Sequence, residues 1–334
     1  MGETVKLKDI AESLGISVVT VSNALAGKQG VSDSLREKVV NKAEELGYEG
    51  PKHEEGQETG LVIGVIVSGR YINVGASFYW AMYQRVVYEA SRKQRLSVLE
   101  IIDSDKEKKE EIPELIRDKS VGGLIVIGML EDSYMKKIYD AAEIPMVLLD
   151  FNCSQLKCDA VLSNNYLGMY RMTRYLLEHG HRNIGFIGAA QSNDNLCDRY
   201  FGYRKGIAEW DVPENPDWVI NNPEVIDGRI DLEQMGTLPT AFVCSSDLIA
   251  GYLYDELKQK GYRVPEDVSI VGYDDYLHAH PFAGKLTTYH VNMKGMAQQA
   301  IQVLQKKMRG DTRYSGVTYL DSRIEERSSV KILK

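Results

Sequence analysis

The sequence predicts an α/β protein in which a short helical headpiece precedes a long body of parallel sheet divided into two lobes. Three observations lead there. Residues 4–48 carry apolar side chains at helical spacing. From Leu61 onward, short and nearly continuous apolar runs alternate with amphipathic stretches of helix length, the pattern of parallel strands covered on both faces. The body is also long, on the order of 270 residues, more than most single sheets organise, so two lobes are expected.

The headpiece comes first. Leu7, Ile10, Ala11 and Leu14 fall on one face of a first helix, because residues three and four apart are neighbours on a helix surface. Gly15 follows, where a left-handed C-cap residue costs least. Ser17 is placed to cap a second helix by accepting a hydrogen bond from the amide of Val19 or Thr20. On that helix Val21 and Leu25 turn inward, while Val18, Val19, Ser22 and Asn23 turn outward. Leu35, Val39, Ala43 and Leu46 mark the buried side of a third helix. Two short helices joined by a glycine-containing turn describe a helix-turn-helix; the alternative that spacing alone leaves open is a three-helix structural appendage.

Charge narrows the reading. A formal net charge of −8 argues against diffuse coating of nucleic acid. In the headpiece Lys6, Lys8, Lys28, Arg36, Lys38 and Lys42 are outnumbered by Glu3, Asp9, Glu12, Asp33, Glu37, Glu44, Glu45 and the adjoining Glu49. A single copy should therefore grip phosphates weakly, and a dimer presenting two headpieces compensates through effective concentration. Residues 49–60, EGPKHEEGQETG, have no apolar periodicity and read as a linker, dividing a headpiece at 1–48 from a body at 61–334.

The stretches KLKDIAESLGIS, VTVS, GVSDSLREKV and ELGY together resemble the N-terminus of the lactose-repressor/galactose-repressor (LacI) family. The resemblance implies a recognition helix at Ser17–Asn23 lying in the major groove of operator DNA. Val18, Val19 and Asn23 are then candidate base readers, and Thr20 and Ser22 serve phosphates. Many relatives carry Arg where Asn23 stands. Arg pairs with guanine and Asn with adenine, so base preference should differ there, and the valines offer only apolar contact to thymine methyls. Relatives usually carry a leucine-wedge helix at the linker. Here it is missing, and Glu54, Glu55 and Glu58 would repel phosphates, so the operator should not be kinked by a wedge.

In the body the apolar runs are 62–67, 97–102, 122–128, 145–150, 183–188, 240–247 and 268–275. Helical stretches stand at 79–95, 165–180, 196–210 and 248–261. Ligands of such sheets bind beyond the carboxyl ends of the strands, in the crevice between lobes. Asp150, Asp247, Asp274 and Asp275 sit at strand ends, and SFYW at 77–80 follows the first strand. Carboxylates with aromatic faces suit a polyhydroxylated ligand, although a strand-end Asp can equally cap the next helix. The order of segments, with HGHRNIGFIG, RYFGY, RVPEDVSIVGYDD and LTT as anchors, resembles the periplasmic-binding-protein fold of the same repressor family. The resemblance implies effector contacts from Phe78, Tyr79, Asp150, Asn193, Asn195, Arg199, Asp247 and Asp274. The loop VSGRYINVGASFYW is longer than usual, which leaves the stacking aromatic open. A neutral sugar is the expected effector, with a purine as the alternative.

Other classes fare worse. There is no Gly-rich phosphate loop ending in Lys and Ser/Thr, and no Gly-x-Ser-x-Gly elbow, so no enzyme is expected. His278 and His280 beside Asp274 and Asp275 read as loop residues rather than metal ligands, and no cofactor is expected. Cys153, Cys158, Cys197 and Cys244 form no Cys-x-x-Cys pair. Without an export signal or an apolar run of membrane length they read as reduced cytoplasmic thiols. An exported solute receptor would share the fold but has no use for TVSNAL. The expectation is a repressor acting as a homodimer, its operator affinity changed when effector closes one lobe on the other.

Overall fold

A computed structural model describes residues 5–25, 33–46, 62–72, 77–277 and 279–333. The linker at 49–60, and with it the expected absence of a wedge, lies outside the described residues, as does His278. The chain forms two compact units, Met1–Glu58 and Thr59–Lys334.

The first unit contains α1 (Leu7–Leu14), α2 (Val18–Leu25) and α3 (Asp33–Glu45). Ile10, Ala11, Val21, Ala24, Val39 and Ala43 bury together as its core. Gly15 adopts the left-handed conformation at φ 62°, and its amide closes the last turn of α1. The Ser17 hydroxyl accepts from the Thr20 amide at 3.0 Å, satisfying one orphan donor at the start of α2.

The second unit holds two six-stranded sheets. In the first lobe β1 (Val62–Ser68), β2 (Leu96–Ile102), β3 (Gly123–Ile127), β4 (Met146–Leu149), β5 (Asp159–Ser163) and β11 (Val317–Leu320) run parallel in the order β11-β5-β4-β3-β1-β2. The second lobe contains β6 (Ile184–Gly188), β7 (Val219–Asn221), β8 (Ala241–Cys244), β9 (Ser269–Asp274), β10 (Thr287–His290) and β12 (Ile324–Glu325). Their order is β12-β10-β9-β8-β6-β7, parallel except for the β10–β12 pair. Central strands such as GLIVI and AFVC bury every residue, because helices cover both faces.

Those helices are α4 (Phe78–Arg92), α5 (Ser104–Lys108), α6 (Glu114–Arg117), α7 (Asp132–Ala142), α8 (Asn165–Glu178), α9 (Asp194–Glu209), α10 (Asp247–Gln259) and α11 (Met293–Met308). The chain crosses between lobes after β5, after β10 and between β11 and β12. The first two crossings each end in an Asn that caps the following helix. Asn164 accepts from the Leu167 amide at 3.2 Å, and Asn292 from the Gly295 amide at 2.9 Å. These crossings set the carboxyl ends of both sheets around one cleft.

All four cysteines are free, three of them buried. Burial pushes the Cys158 thiol up to about 12, far from a reactive thiolate at neutral pH.

Candidate functional site

Asp150 follows the last residue of β4 with φ 66°, and Asp274 ends β9 with φ 115°. A non-glycine residue holds such backbone only where its surroundings over-determine it, and both face the cleft. Arg199 rises between them from α9. Its guanidinium donates to the Asn165 side-chain oxygen at 2.8 Å and to the Ser245 carbonyl at 2.7 Å. It also pairs with Asp274 at 3.1 Å and lies 3.9 Å from the centroid of the Tyr273 ring. A cation 5 % exposed is tolerated because each contact offsets desolvation.

Asp150 is more weakly served. Its side chain is buried and hydrogen-bonds the Tyr79 hydroxyl, but Oδ1 has no partner. Burial, opposed by Arg199 and the Tyr79 bond and reinforced by Asp274, pushes its carboxyl up to about 7. Burial likewise raises Asp274 to about 6, with Arg199 opposing. Asn195 donates to the Asp150 carbonyl at 2.7 Å, and Asn193 caps α9 by accepting from the Leu196 amide at 2.9 Å.

The opposite wall is aromatic. Ser77 caps α4 through the Trp80 amide, which turns Phe78 and Tyr79 into the cleft. The Tyr79 ring lies 4.6 Å from Tyr71 and 5.4 Å from Phe78, and Phe78 meets Tyr276 of the second lobe edge-on at 6.0 Å. The enclosed volume is about 190 Å³. That is below the roughly 300–1,000 Å³ of drug-sized sites, and leaves room for one compact ring.

The structure brings seven of the eight expected residues to this cleft: Phe78, Tyr79, Asp150, Asn193, Asn195, Arg199 and Asp274. Asp247 is a correction. The run 240–247 is not one strand, since β8 ends at Cys244 and Ser246 caps α10 through the Ile249 amide. Asp247 is then the first helical residue, and its carboxyl turns beneath β9. There it accepts from the Thr288 hydroxyl at 2.6 Å and the Tyr276 amide at 2.8 Å. It braces the strand ends and does not line the cleft. Sequence reasoning also missed Tyr71, Leu196, Ile226, Ser246, Leu248 and Ile249. Ser246, Leu248 and Ile249 reach the cleft because β8 ends early, at Cys244, and Ser246 caps α10 at the strand's end. Ile226 sits in a 3-10 turn, Pro223–Asp227, which has no periodicity to read.

His280 Nε2 lies 3.1 Å from Asp255. On α2, Val18 and Val19 are 43 % and 69 % exposed, Ser17 and Ser22 are exposed, and Thr20 and Asn23 are half-buried. Thr20 Oγ1 already bonds the Ser17 hydroxyl at 2.8 Å. Among the described residues no helix is long and apolar enough to cross a membrane.

A helix-turn-helix reader on one chain with a bilobal cleft defines the class of ligand-responsive DNA-binding regulators. Comparison with known proteins gives the family. Residues 6–50 match the family described as bacterial regulatory proteins, lacI family, and residues 173–330 match a periplasmic binding protein-like domain. The ribose operon repressor of Haemophilus influenzae is 28% identical over 98% of this chain and 99% of its own length. The fold is shared with a transcriptional regulator CelR–cellobiose complex (TM-score 0.72, 24% identity, 97% of this chain and 99% of that one). It is shared also with a lac repressor dimer bound to operator and the anti-inducer ONPF (TM-score 0.69, 22% identity, 98% and 100%). Residues 6–50 thus place the headpiece in the lacI family of bacterial regulatory proteins.

Proposed function

We propose that this protein is a homodimeric transcriptional repressor whose operator affinity is set by a small neutral sugar bound between the lobes. The observation that carries the sugar reading is the unpartnered Asp150 Oδ1 opposite an aromatic wall. A buried acceptor without a donor is costly, and a ligand hydroxyl supplies one while the ring's C–H face packs on Tyr71, Phe78 or Tyr79. Two carboxyls face a single guanidinium that is already bonded to Asn165, Ser245 and Asp274. That balance disfavours an anionic ligand. The named relatives point the same way, one regulating a ribose operon and another solved with cellobiose.

On α2, Val18, Val19 and Asn23 read bases, and Ser17, Thr20 and Ser22 position the helix on the backbone. The dimer is supported by the edge strand β2, which leaves Leu96, Val98 and Ile101 exposed beside Tyr88 of α4.

Selecting genomic DNA fragments on the protein, with and without a panel of sugars and purine bases, tests the whole reading. A sugar should change the recovered set. A response to purine bases alone would replace the effector class, and a failure to enrich any sequence would remove the regulator.

A further inference from the structure

A basic concavity lies away from the cleft, where the C-terminal ends of α4 and α11 converge. Arg92, Lys93 and Arg95 line it from the end of α4, Lys306 and Arg309 from the end of α11, and Glu89 is its one acid. Its volume, about 640 Å³, is within the range of small-metabolite sites. In a chain with 48 acidic and 40 basic residues, five cations against one carboxylate is a local reversal of charge. The acid is already neutralised: Glu89 accepts from Arg92 at 3.3 Å and from Gln298 at 3.2 Å. Among the described residues no carboxylate lies within salt-bridge distance of Lys93, Lys306 or Arg309, whereas most exposed lysines and arginines of α7, α8 and α9 are paired.

Cations at helix C-termini also offset the helix dipoles. Each helix end presents roughly half a negative charge, about one charge for the two, against the three positive charges of Lys93, Lys306 and Arg309. The excess remains available to a ligand.

We propose that this groove is a second ligand site, for a small metabolite carrying a diphosphate or two phosphate groups. Cations on both walls match a ligand with two anionic centres, and Gln302 and Gln305 add neutral polar groups to the α11 wall. The site is also mechanically connected to the cleft. α4 begins at Phe78 and Tyr79 and ends at Arg92, a rigid span of about 22 Å at 1.5 Å per residue. A ligand that draws the ends of α4 and α11 together shifts the same helix that carries the aromatic wall.

Isothermal titration of the full-length protein with inorganic pyrophosphate, at ionic strength held constant with sodium chloride, tests this. The expected result is a saturable isotherm near one site per chain, weakened about tenfold or more by the double variant K306Q/R309Q. Gln302→Glu, which places a carboxylate in the groove without removing a cation, should weaken it too. K136Q/K137Q on α7 should bind as the wild type does. The proposal is overturned by the absence of saturation in the wild type, by equal binding to the double variant, or by equal loss in the α7 control. Loss of non-specific duplex-DNA affinity in K306Q/R309Q, with pyrophosphate binding unchanged, would reassign the groove to the DNA backbone.

Discussion

Asp150 combines a left-handed backbone, a dry position and one unpartnered oxygen, and it shares a single guanidinium with Asp274. The consequence is proton linkage. An unfolded Asp titrates near 3.9, whereas the folded group is raised to about 7, so the native state holds a proton that the unfolded chain has released. Stability from this group is therefore full below about pH 4, falls as pH climbs towards 7, and is level above. Asp150→Asn keeps the shape and removes the titration. Its melting temperature, measured from pH 4 to pH 8, should rise relative to wild type across that interval and then run parallel. A constant difference would place the titration elsewhere. Arg199 gives the complementary test. Arg199→Ala leaves α2 untouched, so operator binding should persist while the sugar response disappears, read by operator titrations with and without sugar.

Packing between α8 and α9 depends on one small residue. A Cβ added at Gly202 would lie 2.3 Å from the Tyr166 carbonyl and 3.0 Å from the Tyr170 amide, both backbone atoms that cannot swing aside. Gly202→Ala should destabilise by about 1–3 kcal/mol, the usual cost of overpacking, despite alanine's better helix propensity, and thermal unfolding checks it. Gly202 also belongs to RYFGY, so the segment that delivers Arg199 to the cleft is the one that permits close helix approach. Long elements were legible because their patterns repeat: β1, β3, β6 and β9 lie within or beside the apolar runs, and α4, α8, α9 and α10 fall within a few residues of their stretches. β5 is not legible because Asp159 and Ser163 are its two ends and leave only three apolar residues between them, and β12 because two residues carry no period. α11 was passed over although its buried face, Met296, Ala297, Ala300, Ile301 and Leu304, is spaced as a helix requires. The cleft was legible where a strand end or family motif marked it. It was not where β8 ends at Cys244, three residues short of the expected run 240–247, so that Asp247 opens α10 and becomes a brace instead of a ligand contact.

The acidic balance of the whole molecule makes assembly decisive for its grip on DNA. With six basic residues against seven acidic ones within residues 1–48, a single headpiece neutralises few phosphates. Useful affinity then rests on the base contacts proposed for α2 and on two linked headpieces binding together, which multiplies affinity roughly 10²–10⁴-fold without new contacts. The link we propose is the exposed apolar edge of β2. Leu96 is 70 % exposed on an edge strand whose neighbours Val98 and Ile101 are also exposed, a combination that an isolated chain does not tolerate well. Leu96→Asp places a charge at that edge while leaving the buried residues of the lobe in place. Sedimentation should show a monomer at micromolar concentration, and operator affinity should fall by at least about a hundredfold, the low end of the linkage range. The weak salt dependence of an acidic reader should survive in what binding remains, since that slope counts phosphates neutralised. A variant that sediments as a monomer yet binds operator as tightly as wild type would show that one headpiece suffices, and the role of the β2 edge in DNA binding would fall with it.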